Sequence, residues 1–177
     1  MLIKFIRAIK RQKQRKSMIC GENVFIDPTV DIYSPSNMTI GNNVHIQFGC
    51  KFFADAAGGG VTIGDGCIFA HDVQVLTRNH NYDSNDLEFI PYDQKYIEKP
   101  VVIGEYCWIG ARVTILPGVK IGKGVVVAAC SVITKDIPDY AVVGGNPARI
   151  IKYRNKEKLD ELLREDKGYI KCTKHYT

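Results

Sequence analysis

Hydrophobic positions along this chain fall on a beat of six. Ile40, Ile46 and Phe52 make one run, Ile63, Phe69 and Val75 a second, and Ile103, Ile109, Ile115, Ile121, Val127 and Ile133 a third. All twelve are Ile, Val or Phe, the residue types that suit a pleated, half-buried surface. A period of six is neither the 3.6 of a helix nor simple alternation. It predicts a short flat strand followed by a tight corner, three of which close one coil of about eighteen residues, with coils stacked at about 4.8 Å. The aliphatic column then fills the axis, and the Gly or Ala after it (Gly41, Gly64, Gly104, Gly110, Gly122) sits where a corner needs room or a positive φ.

The same beat disposes of the cysteines. Six are scattered with no CxxC pair, and Cys67 and Cys107 occupy the phase that elsewhere holds inward Val. They read as buried reduced thiols, not as a disulfide framework or a zinc site.

Two interruptions break the repeat. One is the Gly-rich detour at residues 58–62; the other is an arm from residue 81 to 102. The arm carries Asp83, Asp86, Glu88, Asp93 and Glu98 together with Tyr82, Phe89, Tyr92 and Tyr96, a mixture suited to a hydroxyl-rich ligand or to a subunit contact. Long loops in compact domains are often functional. His80 is read as the last residue of the coil that begins at Ile63, held by the coil on one side and covered by the arm on the other. That is a sensible position for a general base. Before the first run, Ile26 and Ile32 keep the beat but Ile40 comes two residues late, which predicts an irregular capping coil.

Charge changes the picture only at the ends. The net charge is +5, and residues 1–16 hold seven Lys or Arg and no acid, with Leu2, Ile3, Phe5, Ile6 and Ile9 on one helical face. This basic amphipathic segment is expected to pack on the molecule or its neighbour, or to touch a membrane surface; no nucleic-acid docking motif accompanies it. No apolar run approaches the roughly 20 residues of a membrane span, and no signal-peptide pattern is present, so the expected location is the cytoplasm, at its furthest the inner face of the membrane. Near the other end, Leu159, Leu162 and Leu163 recur at helical spacing beside i to i+4 charge pairs. The domain reading is therefore a basic segment 1–20, a coil domain 21–152 with the protruding loop 81–102, and a C-terminal helix and tail 153–177.

The stretches "VTIGDGCIFAHDVQVLTRNH", "VVIGEYCWIGARVTILPGVKIGKG" and "SVITKDIPDYAVVGGNPARII" resemble the hexapeptide-repeat acyltransferases, and within them galactoside and maltose O-acetyltransferases and polysaccharide acetyltransferases. The resemblance spans about residues 22–152. It implies an all-β fold, a left-handed parallel β-helix with short terminal helices; general crossover rules alone predict the opposite hand. It further implies acetyl-CoA as cosubstrate, a saccharide hydroxyl as acceptor, no metal, and a homotrimer with active sites between subunits.

By the same resemblance, His80 deprotonates the acceptor hydroxyl and the corner around Gly110 and Ala111 supplies backbone donors to the tetrahedral oxyanion. Trp108 lies near the acyl group, Ala111, Ala129, Thr134 and Lys135 contact coenzyme A, and Arg149 and Lys152 lie toward its nucleotide end. Serine is common in the family where this chain has Ala111, so only main-chain binding carries over there. Asp55 stands where galactoside acetyltransferases hold the sugar with an asparagine, and Asn79, Tyr82 and Asp83 flank His80 as further acceptor contacts.

Other readings remain in view. His71 shares the column of Ala111 one coil below and is read as structural, with groove-lining the alternative. His45, His71 and His80 occupy three different phases and do not converge on one metal. Cys107 points inward, against a covalent mechanism. The alternative functions are N-acetylation of a nucleotide-linked amino sugar and a non-catalytic assembly module.

Overall fold

The computed structural model describes residues 17–55, 59–165 and 167. The basic segment 1–16, its expected helix and membrane contact, and the end of the C-terminal tail lie outside the described residues. The strands stack on three faces. The first face holds Ile19–Cys20, Met38–Ile40, Val61–Ile63, Val101–Ile103 and Lys120–Ile121. The second holds Phe25–Ile26, His45–Ile46, Ile68–Phe69, Trp108–Ile109, Val126–Val127 and Ala141–Gly145. The third holds Asp31–Tyr33, Lys51–Phe53, Gln74–Leu76, Thr114–Ile115 and Val132–Ile133. Neighbours within these stacks are parallel, and the coils form a left-handed β-helix.

Register explains why a six-residue beat makes a core. Ile40, Ile63, Ile103 and Ile121 stack on the first face. Ile46, Phe69, Ile109 and Val127 stack on the second, and Phe52, Val75, Ile115 and Ile133 on the third. All twelve are buried. Each contributes roughly 1.5–3 kcal/mol of transfer free energy, so the axis is the main source of stability.

The corners divide two tasks that the sequence pattern had merged. A Cβ on Gly104 would lie 2.8 Å from the Gly122 carbonyl carbon and 2.9 Å from Lys123 N, so this position needs room, not an unusual φ. The left-handed conformation falls two residues later, at Tyr106 (φ 56°) and the stacked Gly66 (φ 69°). Acceptors one coil away satisfy corner amides, as where Asp65 Oδ1 accepts from Asn42 N at 2.7 Å.

Cys50, Cys67 and Cys107 are buried. Cys67 Sγ donates to Gly104 O and Cys107 Sγ to Gly122 O, each at 3.0 Å. The hydrogen bond with Cys67, reinforced by burial, pushes the Cys107 thiol well above its ordinary range. A thiol held protonated in this way is a poor nucleophile.

The irregularities have local causes. A 3₁₀ turn, Pro35–Asn37, absorbs the two extra residues between Ile32 and Ile40, with Ser34 left-handed at its start. At the other end, Ala141–Gly145 turns back antiparallel onto Ala148–Tyr153 and closes the second sheet. The helix Lys156–Arg164 begins at Asn155, whose side chain accepts from Lys158 N at 2.8 Å. Its Leu159, Leu162 and Leu163 face Ile68, Trp108 and Val126 across a groove on the second face. Tyr140 Oη donates to Asp160 Oδ1 at 2.8 Å and ties the helix to the coils of its own chain, while no residue of the helix is buried.

Candidate active site

His80 belongs to the arm and not to the coil. Arg78–His80 pairs antiparallel with Tyr96–Glu98, with His80 opposite Tyr96, so the base of the arm is a two-stranded ribbon. This corrects the reading of His80 as the last residue of a regular coil. Between the third-face strand Gln74–Leu76 and the ribbon, Thr77 is fully buried and donates its hydroxyl to Phe53 O at 2.7 Å.

Two tyrosines hold the imidazole. The Tyr92 ring lies 3.9 Å from it, centroid to centroid, and the Tyr96 ring 4.7 Å. Nδ1 is buried and meets no hydrogen-bond partner among the described residues, which leaves Nε2 as the nitrogen open to a ligand. Ring packing, not a carboxylate, therefore sets the orientation of His80.

The arm is fastened at its foot. Asn81 and Asp93 are both 3 % exposed. Asn81 Nδ2 donates to Asp93 Oδ2 at 2.9 Å and to Ser84 Oγ at 2.8 Å, while Asp93 Oδ1 accepts from Lys95 N at 2.8 Å. A buried carboxylate satisfied at both oxygens is a structural latch, and it fixes the chain segment that carries Tyr92 and Tyr96.

Asp55 and Asn79 line one cavity with His80, of about 180 Å³, completed by Phe53, Leu76, Arg78 and Tyr96. Tyr82 and Asp83 are exposed and line neither this cavity nor the other one that touches His80. Arg78 was not singled out from sequence. Its guanidinium carbon sits 3.5 Å from the centroid of the Tyr96 ring, and its Nη1 lies 3.6 Å from Asp55 Oδ2. The available signal was alternation, because Arg78 and His80 are two apart on one strand and share a face. Tyr96 gave no such signal, since its pairing depends on the ribbon.

The residues assigned to the cosubstrate lie elsewhere on the helix. Trp108 is on the outer second face, 55 % exposed. Ala111 and Ala129 lie at the corner between the second and third faces, where Cys130 N donates to Ala111 O at 2.8 Å and joins consecutive coils. Among the described residues, the N–H groups of Ala111, Ala129 and His71 have no backbone acceptor, so this column offers free donors. Gly110 does not: its N–H is spent on Val127 O at 2.9 Å, within the ladder between coils. The oxyanion donor expected at this corner thus reduces to Ala111 N–H. A Cβ on Gly110 would lie 2.6 Å from Ala129 N, so glycine there serves close stacking.

Thr134 and Lys135 follow the last third-face strand and are exposed. Arg149 and Lys152 are exposed on the closing strand Ala148–Tyr153. His71 stacks on Phe48 at 5.0 Å, and its Nδ1 lies 3.1 Å from Asp72 Oδ2. Among the described residues no group of three or more His, Cys, Asp or Glu side chains gathers in metal-binding geometry.

His80 and the Ala111 column stand at opposite ends of the third face. His71, which shares that column, lies nine residues before His80 along the chain, and neither cavity that touches His80 includes Ala111, Ala129 or Trp108. Proton transfer to an attacking hydroxyl requires hydrogen-bond contact, about 2.6–3.2 Å. Within one chain, Ala111 lines neither of the cavities described at His80.

Residues 100–135 match the family model described as bacterial transferase hexapeptide (six repeats). The chain is similar to the galactoside O-acetyltransferase of Escherichia coli (strain K12), 34 % identical over 148 residues that cover 82 % of this chain and 70 % of that protein. It is also similar to a putative lipopolysaccharide biosynthesis O-acetyl transferase of the same organism, 38 % identical over 73 % of this chain and 65 % of that one. It thus spans about two thirds of the length of these relatives. Among solved structures, a hexapeptide-repeat-containing acetyltransferase of Vibrio cholerae complexed with acetyl coenzyme A superimposes with a TM-score of 0.73. That pair is 32 % identical, with 84 % of this chain and 78 % of the other covered.

Proposed function

The chain belongs to the hexapeptide-repeat acetyltransferase family, and from that premise we propose that it transfers the acetyl group of acetyl-CoA to a hydroxyl of a saccharide, with His80 as general base. The observation that carries this reading is the cavity in which the open face of His80 meets Asp55, Arg78 and Asn79. A sugar hydroxyl is a weak nucleophile near neutral pH, and Nε2 within hydrogen-bond reach takes its proton as the oxygen attacks the thioester carbonyl. The C–S bond then breaks, and the coenzyme leaves as its thiol once it has regained a proton. Ala111 N–H meets the oxyanion, while the column with Ala129, and Trp108 beside it, guides the pantetheine arm. Thr134, Lys135, Arg149 and Lys152 serve the phosphates and nucleotide. The likeness to O-acetyl transferases of a galactoside and of lipopolysaccharide synthesis supports a surface polysaccharide or related sugar as acceptor.

The separation of His80 from Ala111 supports a site built between copies of the chain, as in a homotrimer. Coexpressed His80→Ala and Trp108→Ala chains are then expected to recover part of the wild-type turnover, although each variant alone has little. Recovery fails if each chain works by itself. The basic segment 1–16 suits a contact with anionic lipid at the inner face of the membrane. The function itself is tested by thiol release from acetyl-CoA across a panel of sugars and nucleotide-linked amino sugars. Sugars without an amine are expected to release thiol, and release with the amino sugars alone contradicts the hydroxyl reading.

A further inference from the structure

Two cavities meet at His80. Besides the one described, a larger cavity of about 530 Å³ is lined by His80, Phe89, Tyr92, Asp93, Gln94 and Tyr96. His80 and Tyr96 border both, so a ligand that extends from one into the other passes the imidazole. Resting on the transferase reading above, we propose that the acceptor is an uncharged oligosaccharide of at least two sugar units, bound on both sides of His80.

The smaller cavity fits one pyranose. Its volume is below the ~300 Å³ at which sites for drug-sized ligands begin. Phe53 and Leu76 offer apolar surface to the C–H face of a sugar ring, while Asp55 accepts from hydroxyls and Arg78 and Asn79 donate to them. The Asp55–Arg78 pair cancels its own charge, so an acidic sugar finds no net countercharge there.

The larger cavity has a different chemistry. Phe89 and Tyr92 are exposed aromatic rings, 64 % and 48 % accessible, and provide stacking faces for a neighbouring sugar, while Tyr96 is covered by the Arg78 guanidinium. Among the described residues no Lys or Arg lines it, and the carboxylate of Asp93 is already engaged by Asn81 and Lys95 N. The nearby Lys95 ammonium is held by Asp86 at 3.0 Å and faces Glu88 at 3.5 Å. A pyrophosphate, whether of a nucleotide sugar or of coenzyme A, therefore has no cationic partner among the described residues that line this cavity. An uncharged saccharide needs none.

The test compares galactose, glucose and N-acetylglucosamine with lactose, cellobiose and chitobiose as acceptors, following thiol release at saturating acetyl-CoA. Binding of the second unit is expected to raise kcat/KM about tenfold for at least one pair. Phe89→Ala, at a ring exposed enough to leave folding intact, is expected to bring that ratio close to one while KM for acetyl-CoA stays put. Equal kcat/KM for single and paired sugars overturns the proposal while leaving the transferase reading standing. So does a rise in KM for acetyl-CoA in Phe89→Ala, which assigns the larger cavity to the thioester. Release of thiol by none of the sugars removes the transferase reading as well.

Discussion

Replacing His80 by Ala is expected to lower kcat by about 10²–10⁴-fold, the range a positioned general base contributes. The affinity for coenzyme A is expected to stay within about twofold, because the contacts proposed for it use main-chain N–H groups at Ala111 and Ala129 and the Trp108 ring, not the imidazole. The fold is expected to persist. His80 contributes backbone pairing to the ribbon, which alanine keeps, and its Nδ1 has no partner among the described residues to lose. Turnover assays beside a coenzyme A titration separate these effects. Unchanged kcat moves the base elsewhere, first to His71, which stands in the same column as Ala111.

The second large effect is on stability. Phe52 is fully buried on the third face, stacked between Ile32 and Val75 and edge-on to Phe69 at 5.7 Å. Phe52→Ala is expected to cost about 3–5 kcal/mol, from lost transfer free energy and the cavity left in an axis that backbone ladders keep from collapsing. That is a large share of the 5–15 kcal/mol that ordinarily separates folded from unfolded protein. The measurement is the urea midpoint followed by circular dichroism, and a shift worth less than about 1 kcal/mol contradicts the rigid axis. Activity is expected to fall with it, since Phe53, the next residue, lines the smaller cavity beside His80.

The axis was legible because its signal is local and repeated. Each of the twelve apolar positions occupies one place in one strand, and parallel stacking turns an equal spacing in sequence into a column in space. The corners were half legible. Glycine after the aliphatic marks close approach, but Tyr106 and Tyr140 take the left-handed conformation without being glycine, so composition hides the turn. Of the residues that line the smaller cavity, His80, Asp55 and Asn79 were singled out from sequence, and they lie in or beside the regular coils. Arg78 was not, and Tyr92 and Tyr96 were read only as aromatics of the arm, because the places of all three depend on an antiparallel ribbon and on the Asn81–Asp93 latch across twelve residues of arm. Gly110 shows the converse: its motif is clear, but only the ladder reveals that its N–H is already taken.

The account stands most directly on the bond that is formed. A neutral disaccharide incubated with the protein and acetyl-CoA is expected to acquire acetyl groups that hydroxylamine removes at neutral pH, as it removes esters, and His80→Ala is expected to abolish that product. An acetyl group that resists hydroxylamine, as an amide does, or an ester formed equally well by His80→Ala, contradicts it.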